Sequence, residues 1–226
     1  MATPVERVQA IPRDASEFYI CHGGPPAFRA ADLGAPTGAE AEDHPAAAEL
    51  RRHAANPGGA LEVPAAGWRV LHRSEREVLY ECEEELEDGE EPERHLVLIV
   101  RKRDGAWKWK NSSHYFESFD AIRNGNPASE WRLDPAAATP GPDDTELCVL
   151  VTECHCASGR SAEGRIEPPD VFYADAKIRI VAYVTALPGS QRCPGNPSTP
   201  AIFVLPEPIG ERELVDAGRY PLVEPD

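Results

Sequence analysis

Positive charge is scarce in this chain: 23 Lys and Arg stand against 39 Asp and Glu, giving a formal charge of −16 and a pI near 4.9. Binding to nucleic acid or to anionic membranes needs clustered cations, so the deficit argues against both. Long apolar runs are lacking as well. No stretch approaches the ~18–20 residues that a helical membrane span requires, and Met1–Pro12 has no apolar core of the signal-peptide kind. Complete catalytic motifs are missing too. Gly159-Arg160-Ser161-Ala162-Glu163-Gly164 comes within one position of the Gly-x-Ser-x-Gly nucleophile elbow and reads better as a polar connection between strands. The acidic run from Glu81 to Glu93 lacks the ligand spacing of an EF-hand loop. Together these absences point away from an enzyme, and nothing calls for a cofactor.

What is present is turn chemistry. In 226 residues there are 23 prolines and 17 glycines, which favour many short strands over long helices. Residues 1–16 are polar and read as an irregular arm. Glu17–Cys21 follows as a short strand, ended by Gly23-Gly24-Pro25-Pro26. Asp43-His44-Pro45 has the look of a helix start, with an acidic cap and a proline in the first turn. The helix over 45–55 carries Ala47, Leu50 and Ala54 on one side. Four strand patterns come next: Trp68–His72, Glu77–Glu81, Arg94–Arg101 and Ala106–Lys110, the last two joined through Asp104-Gly105, a hairpin signal. Residues 134–143, rich in Pro and Ala, read as a semi-rigid linker. Beyond them lie strand patterns at Glu146–Cys156, Lys177–Val184 and Ala201–Leu205. The predicted architecture is an α+β N-terminal domain, one helix with an antiparallel meander, over 17–133. A mainly-β, sandwich-like C-terminal domain follows over 144–226.

Six cysteines favour an oxidising compartment. Cys193 sits in the Pro-rich connection 192–200 and faces a strand end bearing Cys154 and Cys156. A Cys156–Cys193 staple is expected, with Cys154 as the competing partner; it would close a loop of about 37 residues and contribute roughly 3–4 kcal/mol. Cys21 and Cys82 complete the disulfide candidates. Cys148, mid-strand among Leu147, Val149 and Leu150, reads as a buried, inert thiol. Cys154-His155-Cys156, joined by His22, offers zinc- or copper-type ligands as an alternative. On a strand, however, His155 would point away from its two neighbours.

Two features suggest binding. Trp107 and Trp109 share one strand face, either as core or as an aromatic platform beside His114 and Tyr115. The acidic connection holding Glu84, Glu85, Glu87 and Asp88 is either a solvated loop or a dock for a basic partner.

One longer pattern carries a likeness. It runs Val151-Thr152-Glu153, Cys156-Ala157-Ser158-Gly159, Gly164-Arg165-Ile166-Glu167-Pro168-Pro169 and Leu187-Pro188-Gly189-Ser190-Gln191-Arg192-Cys193-Pro194-Gly195-Asn196-Pro197-Ser198-Thr199-Pro200. It continues through Leu205-Pro206-Glu207-Pro208-Ile209-Gly210-Glu211-Arg212-Glu213-Leu214 to Val215-Asp216-Ala217-Gly218. This resembles a family of uncharacterised actinobacterial proteins, many of them exported or lipoprotein-like. The likeness extends loosely to Gly23-Gly24-Pro25-Pro26, Gly67-Trp68-Arg69 and Trp131-Arg132-Leu133-Asp134-Pro135. In that family pattern a cysteine precedes the Gly-Gly-Pro-Pro, as Cys21 does here. A second follows the strand near Trp109, where this chain has Asn111-Ser112-Ser113. The resemblance implies a place at the cell envelope and assigns no catalytic residue. The expected function is that of a non-catalytic protein-binding or interaction protein. A metal-dependent enzyme or metal-binding protein built on Cys154-His155-Cys156, and a structural subunit of a larger assembly, are the alternatives.

Overall fold

Leu147, Val149 and Val151 point inward and alternate with Glu146, Cys148, Leu150 and Thr152, and this period of two makes a half-buried strand. The same rule recurs along the chain, and of the described residues 47% are strand against 12% helical. The structure, a computed structural model, describes residues 5–21, 26–55, 63–84, 93–115, 119–154, 159–188 and 195–220; the side chains of residue 93 and of residues 113–115 are not described. In chain order the first strands are β1 (Glu6–Gln9), β2 (Ile11–Pro12), β3 (Tyr19–Cys21) and β4 (Phe28–Arg29). After helix α1 (Pro45–Ala54) come β5 (Arg69–Arg73), β6 (Glu77–Glu84), β7 (Glu93–Arg101) and β8 (Trp107–Tyr115). Then follow β9 (Phe119–Arg123), β10 (Asn126–Pro127), β11 (Glu130–Leu133), β12 (Glu146–Thr152) and β13 (Ile166–Tyr173). The last are β14 (Lys177–Val184), β15 (Thr199–Val204), β16 (Glu213–Asp216) and β17 (Arg219–Tyr220).

The chain divides into two compact units, one of residues 1–25 with 118–226 and the other of residues 26–117. This is not the division expected from composition. The Pro-rich run 134–143 joins β11 to β12, which pair directly from Glu130 with Thr152 to Leu133 with Val149. It is thus a connection inside one sheet and links no domains.

In the discontinuous unit, one sheet has the order β1-β15-β12-β11 and another the order β16-β14-β13-β2. Their inner faces share one core that includes Val8, Leu147, Val149, Val171, Ile178, Ile180 and Phe203. Each fully buried side chain of this size contributes about 1.5–3 kcal/mol. The segment expected as an arm runs along both sheets. Residues 6–9 pair in parallel with 201–204, and Ile11 and Pro12 pair in parallel with Asp170 and Val171. The change of sheet falls at Ala10, whose amide donates to the Val204 carbonyl at 2.9 Å. Only Val8 and Ala10 of this segment are fully buried, so its alternation is too short to announce a strand. A third group of strands centres on β9, which pairs antiparallel with β3, β10 and β17.

β13 contains Pro168-Pro169, which marks against a central strand because proline donates nothing to the ladder. The structure accommodates both residues in an irregularity of register between Glu167 and Asp170. The freed Pro168 carbonyl accepts from Arg123 Nη1 at 2.8 Å. Asp170 Oδ1 accepts from both Arg123 Nη1 and Arg13 Nε, each at 2.9 Å. Arg123 Nη2 donates to Glu167 at 2.9 Å, and the guanidinium lies 4.2 Å above the Tyr183 ring. One carboxylate therefore ties the residue after β2 and the end of β9 to the bulge of β13.

In the continuous unit, β5-β6-β7-β8 form an antiparallel meander, as the sequence predicts. Ala46 and Leu50 of α1 pack on Trp68, Val78, Tyr80, Val97 and Ile99. The cap of the helix is His44, not Asp43; its Nδ1 accepts the Ala46 amide at 3.1 Å. Gly67 has φ +92, and a Cβ there would stand 3.3 Å from Cys82 Sγ, so backbone and packing both demand glycine.

Asp170→Ala leaves two guanidiniums facing a carboxylate that is gone. It should lower the unfolding free energy by about 2–4 kcal/mol, read from the urea midpoint at constant slope. Arg7→Ala, which removes an exposed partner of Glu146, should leave that midpoint almost unchanged.

Candidate functional site

The aromatic hairpin is the first candidate, and the structure turns it inward. Trp107 and Trp109 share a face, but that face carries α1. Both are half-buried and packed against the core of their unit. The His44 ring meets Trp107 edge-on at 5.2 Å, and the His53 ring lies 4.2 Å from Trp109. The register of β7 and β8 shifts between Leu98 and Ile99, so Lys110 has no opposite residue. Glu49 Oε1 accepts the Trp109 amide at 3.2 Å, while Arg52 donates to the two Glu49 oxygens at 2.9 and 2.8 Å. Arg52, and less strongly the Trp109 amide, hold the Glu49 carboxyl down at about 2 against the effect of its own burial. The two tryptophans thus anchor a helix and do not form the open platform expected of them. His114 and Tyr115 lie in β8, with side chains outside the described residues.

The acidic run is neutralised where it is described. Glu81 is fully buried, with Arg94 at 2.7 Å and Arg69 at 3.0 Å, and Arg94 also reaches Glu83 at 2.7 Å. Glu84 is half exposed and sits 2.9 Å from the buried His95. These acids fasten the β6–β7 pair. Glu85, Glu87 and Asp88 lie outside the described residues.

The cysteines divide in the same way. Cys156, Cys193, His155 and His22 lie outside the described residues. Cys82, Cys148 and Cys154 are free, so the disulfide candidates Cys82 and Cys154 are unbridged, and the Cys156–Cys193 staple lies outside the described residues; Cys21 is buried. Cys82 donates to the Ala66 carbonyl at 3.4 Å, and burial, reinforced by Glu81 and Glu84, pushes its thiol up to about 11. Cys148 is exposed, which corrects the buried thiol expected there: strand alternation turns Leu147 and Val149 inward and the cysteine out. Cys154 Sγ donates to the Thr152 carbonyl at 3.3 Å. Partial desolvation raises its thiol above the ordinary value, as do the Glu130 and Asp216 carboxylates. Neither Cys82 nor Cys154 is an activated nucleophile. Among the described residues no group of three or more His, Cys, Asp and Glu is placed to hold a metal ion.

The remaining site is one that no single motif announced. Three connections of the discontinuous unit meet at one end of its sheets: 153–154 after β12, 159–165 before β13 and 195–198 before β15. The buried Glu153 accepts from Arg165 Nη2 at 2.7 Å, and its own carbonyl accepts from Asn196 Nδ2 at 2.8 Å. Asn196 Oδ1 accepts the Gly159 amide at 3.0 Å. Thr199 Oγ1 accepts the Ala162 amide at 2.7 Å, and the Thr152 and Ser198 hydroxyls are 2.8 Å apart. Arg165 also donates to the carbonyls of Thr185 and Ser161. Ser161 Oγ accepts the Glu163 amide at 3.0 Å, a turn-closing bond. The near-elbow around Ser161 is therefore a tied connection. Arg160, Ser161, Glu163, Pro197 and Ser198 of these connections are exposed, while Glu153, Ala162 and Thr199 are buried. The signal for it was the pairing of Thr-Glu with Asn-Pro-Ser-Thr-Pro, 43 residues apart for Glu153 and Asn196. That pairing is visible as a pattern but silent about contact.

Comparison of the chain with protein-family models, with curated proteins and with solved structures finds no match.

Glu49→Ala should cost about 2 kcal/mol of unfolding free energy through the lost charge-assisted bonds. The Glu49 carboxyl is depressed on folding, so its contribution is complete above the unfolded value of 4.5 and disappears as pH falls toward about 2. The stability gap between the native chain and Glu49→Gln should therefore shrink across that interval in acid titrations of the urea midpoint. For the thiols, mass-spectrometric mapping after brief alkylation should find Cys148 and Cys154 modified in the native state and Cys82 only after unfolding. Full protection of Cys154 would restore the disulfide that its free thiol rules out.

Proposed function

We propose that this chain is a non-catalytic binding protein. Its recognition surface is the loop end built on Glu153, Arg165, Asn196 and Thr199. One observation carries the reading: three loops from separate parts of the sequence are cross-tied through a buried Glu153–Arg165 pair, with their outer residues left to solvent. A rigid β scaffold that holds exposed loops in one arrangement is a common basis for recognition, because little entropy remains to be lost on binding. The two facing sheets of this unit are read as a β-sandwich, and the loop end is one end of it.

The partner is taken to be a protein that presents a polar, cation-bearing surface. The chain's net charge of −16 favours such a partner. Among the described residues Val5 and Tyr19 are the exposed large hydrophobics, which gives little support to a greasy subunit interface. The likeness of the C-terminal pattern to exported actinobacterial proteins supports a place at the cell envelope. The free thiols of Cys148 and Cys154 set a condition on that placement, since exposed thiols in an oxidising compartment find partners.

A second reading has one observation in its favour. The Cys154 thiol is free and exposed, as a ligand would need to be, and a metal held with His155 and Cys156 remains the competing proposal. Stoichiometric zinc or copper in the purified chain would promote it.

The test of the first reading is cross-linking of the tagged chain in an extract of its source, followed by mapping of the linked residues. Cross-links concentrated at 152–165 and 195–200, and reduced at least tenfold by Ser198→Arg, support it. Cross-links elsewhere, or ones indifferent to that substitution, overturn it.

A further inference from the structure

Positive charge, scarce over the chain as a whole, gathers at one end of the β5-β6-β7-β8 meander. Residues 101–110 hold Arg101, Lys102, Arg103, Lys108 and Lys110 against one acid, Asp104, and three of the chain's four lysines are among them. The turn between β5 and β6 reaches the same end, where the Arg101 amide donates to the Arg76 carbonyl at 2.7 Å. The β7–β8 turn is closed by the Lys102 amide, which donates to Ala106 at 2.8 Å, and by the Gly105 amide, which donates to Lys102 at 2.9 Å. Asp104 already accepts the Ala106 amide at 3.0 Å. Arg76 and the five cations of the hairpin are all exposed, and none makes an ion pair among the described residues. Arg52, Arg69, Arg73 and Arg94 of the same unit, by contrast, each meet a carboxylate. Glu75 and Glu77, which flank Arg76, reduce the positive excess without cancelling it. Glu84 is too far to do so. It stands opposite Glu93, and the length of β7 puts roughly 26 Å between Glu93 and Arg101 at about 3.3 Å per residue. That is about three screening lengths at physiological ionic strength.

We propose that this end of the meander receives a carboxylate-rich segment of a partner protein. It shares no residue with the loop end of the other unit. Like charges held on one hairpin repel one another, and an anion from outside relieves them. Guanidinium forks suit carboxylates, which accept two parallel hydrogen bonds, and the lysines add point charges beside them.

A nucleic acid fits less well. Proteins that hold single strands set aromatic rings among their cations, and the bases stack on those rings. Trp107 and Trp109 alternate with Lys108 and Lys110 in sequence, but both rings are turned inward and pack with α1. A duplex or a lipid bilayer is a polyanion that extends beyond a patch of this size, and there it meets a chain of net charge −16. A short acidic segment touches the patch alone.

The test uses the full chain and a fluorescein-labelled decaglutamate peptide, with binding read by fluorescence anisotropy at 50 and 200 mM salt. Binding should weaken as salt rises, and Arg103→Glu should weaken it at least fivefold at the lower salt. Arg132→Glu makes the same change of net charge at an exposed arginine of β11 and should alter binding less than twofold. Equal weakening by both substitutions, or no binding of the peptide at millimolar concentration, overturns the assignment. An oligouridylate of equal charge and vesicles containing phosphatidylserine should bind at least tenfold more weakly than the peptide. Tighter binding of either one gives the patch to a nucleic acid or a membrane and overturns the assignment as well. Brief acetylation of the native chain keeps the test open even if Arg103→Glu fails to fold. Bound peptide should protect Lys102, Lys108 and Lys110 and leave Lys177, 3.5 Å from Glu213, as reactive as before. Unchanged reactivity of all four lysines refutes the proposal.

Discussion

The discontinuous unit depends on one carboxylate. Asp170 sits just beyond two prolines that interrupt β13, and it receives Arg13 from the start of the chain and Arg123 from its middle. A parallel edge pairing as short as that of Ile11 and Pro12 contributes little alone. Hydrogen bonds from two guanidiniums to a buried acceptor are among the stronger interactions open to a protein, and the desolvation they require forbids a partial version. The Tyr183 ring under Arg123 and the Glu167 carboxylate beside it complete the surroundings of the cation. The bulge is what makes this possible, since it frees the Pro168 carbonyl and aims Asp170 at the two bases.

The loop end follows the same logic at the other side of β13. There Arg165 rather than Arg123 supplies the cation, and Glu153 rather than Asp170 supplies the buried acceptor. Both arginines satisfy backbone carbonyls as well as a carboxylate, so each fixes loop geometry and not merely charge. The outer residues of these connections, Ser161, Glu163, Pro197 and Ser198 among them, stay exposed. A few acids, Glu81, Glu153 and Asp170 among them, are thus committed to structure.

In the continuous unit the same chemistry docks a helix. Glu49, an acid on the inner side of α1, reaches the amide at the β8 bulge and carries Arg52 with it. His44 and His53 cover the two tryptophans from either end of the helix. The aromatic pair is large, apolar and on one face, and it is consumed by packing. Trp, with its ring area, does more for a small core than any other residue type.

The meander of this unit and its helix could be read from the sequence because their determinants are local. Asp104-Gly105 specifies a turn, continuous buried runs such as Leu96–Ile99 specify β6 and β7, and Pro45 after a polar residue starts a helix. The strands expected at 146–156, 177–184 and 201–205 were legible for the same reason, though the first ends at Thr152 and the last begins at Thr199. The N-terminal strands were not, since Val8 and Ala10 carry too little apolar signal and only β15 and β13 make them strands. β13 was hidden by its prolines, and the supposed linker at 134–143 was a composition without a contact. The loop end, too, lay beyond reach, because Glu153 and Asn196 are joined by a hydrogen bond whose existence depends on both strands being in place. The chain by itself determined each segment's preference for turn, strand or helix, which is set by neighbours within a few residues. Only tertiary structure decided which carboxylate meets which guanidinium, because that choice rests on pairings between separate strands and loops, as for Arg13 and Asp170, 157 residues apart.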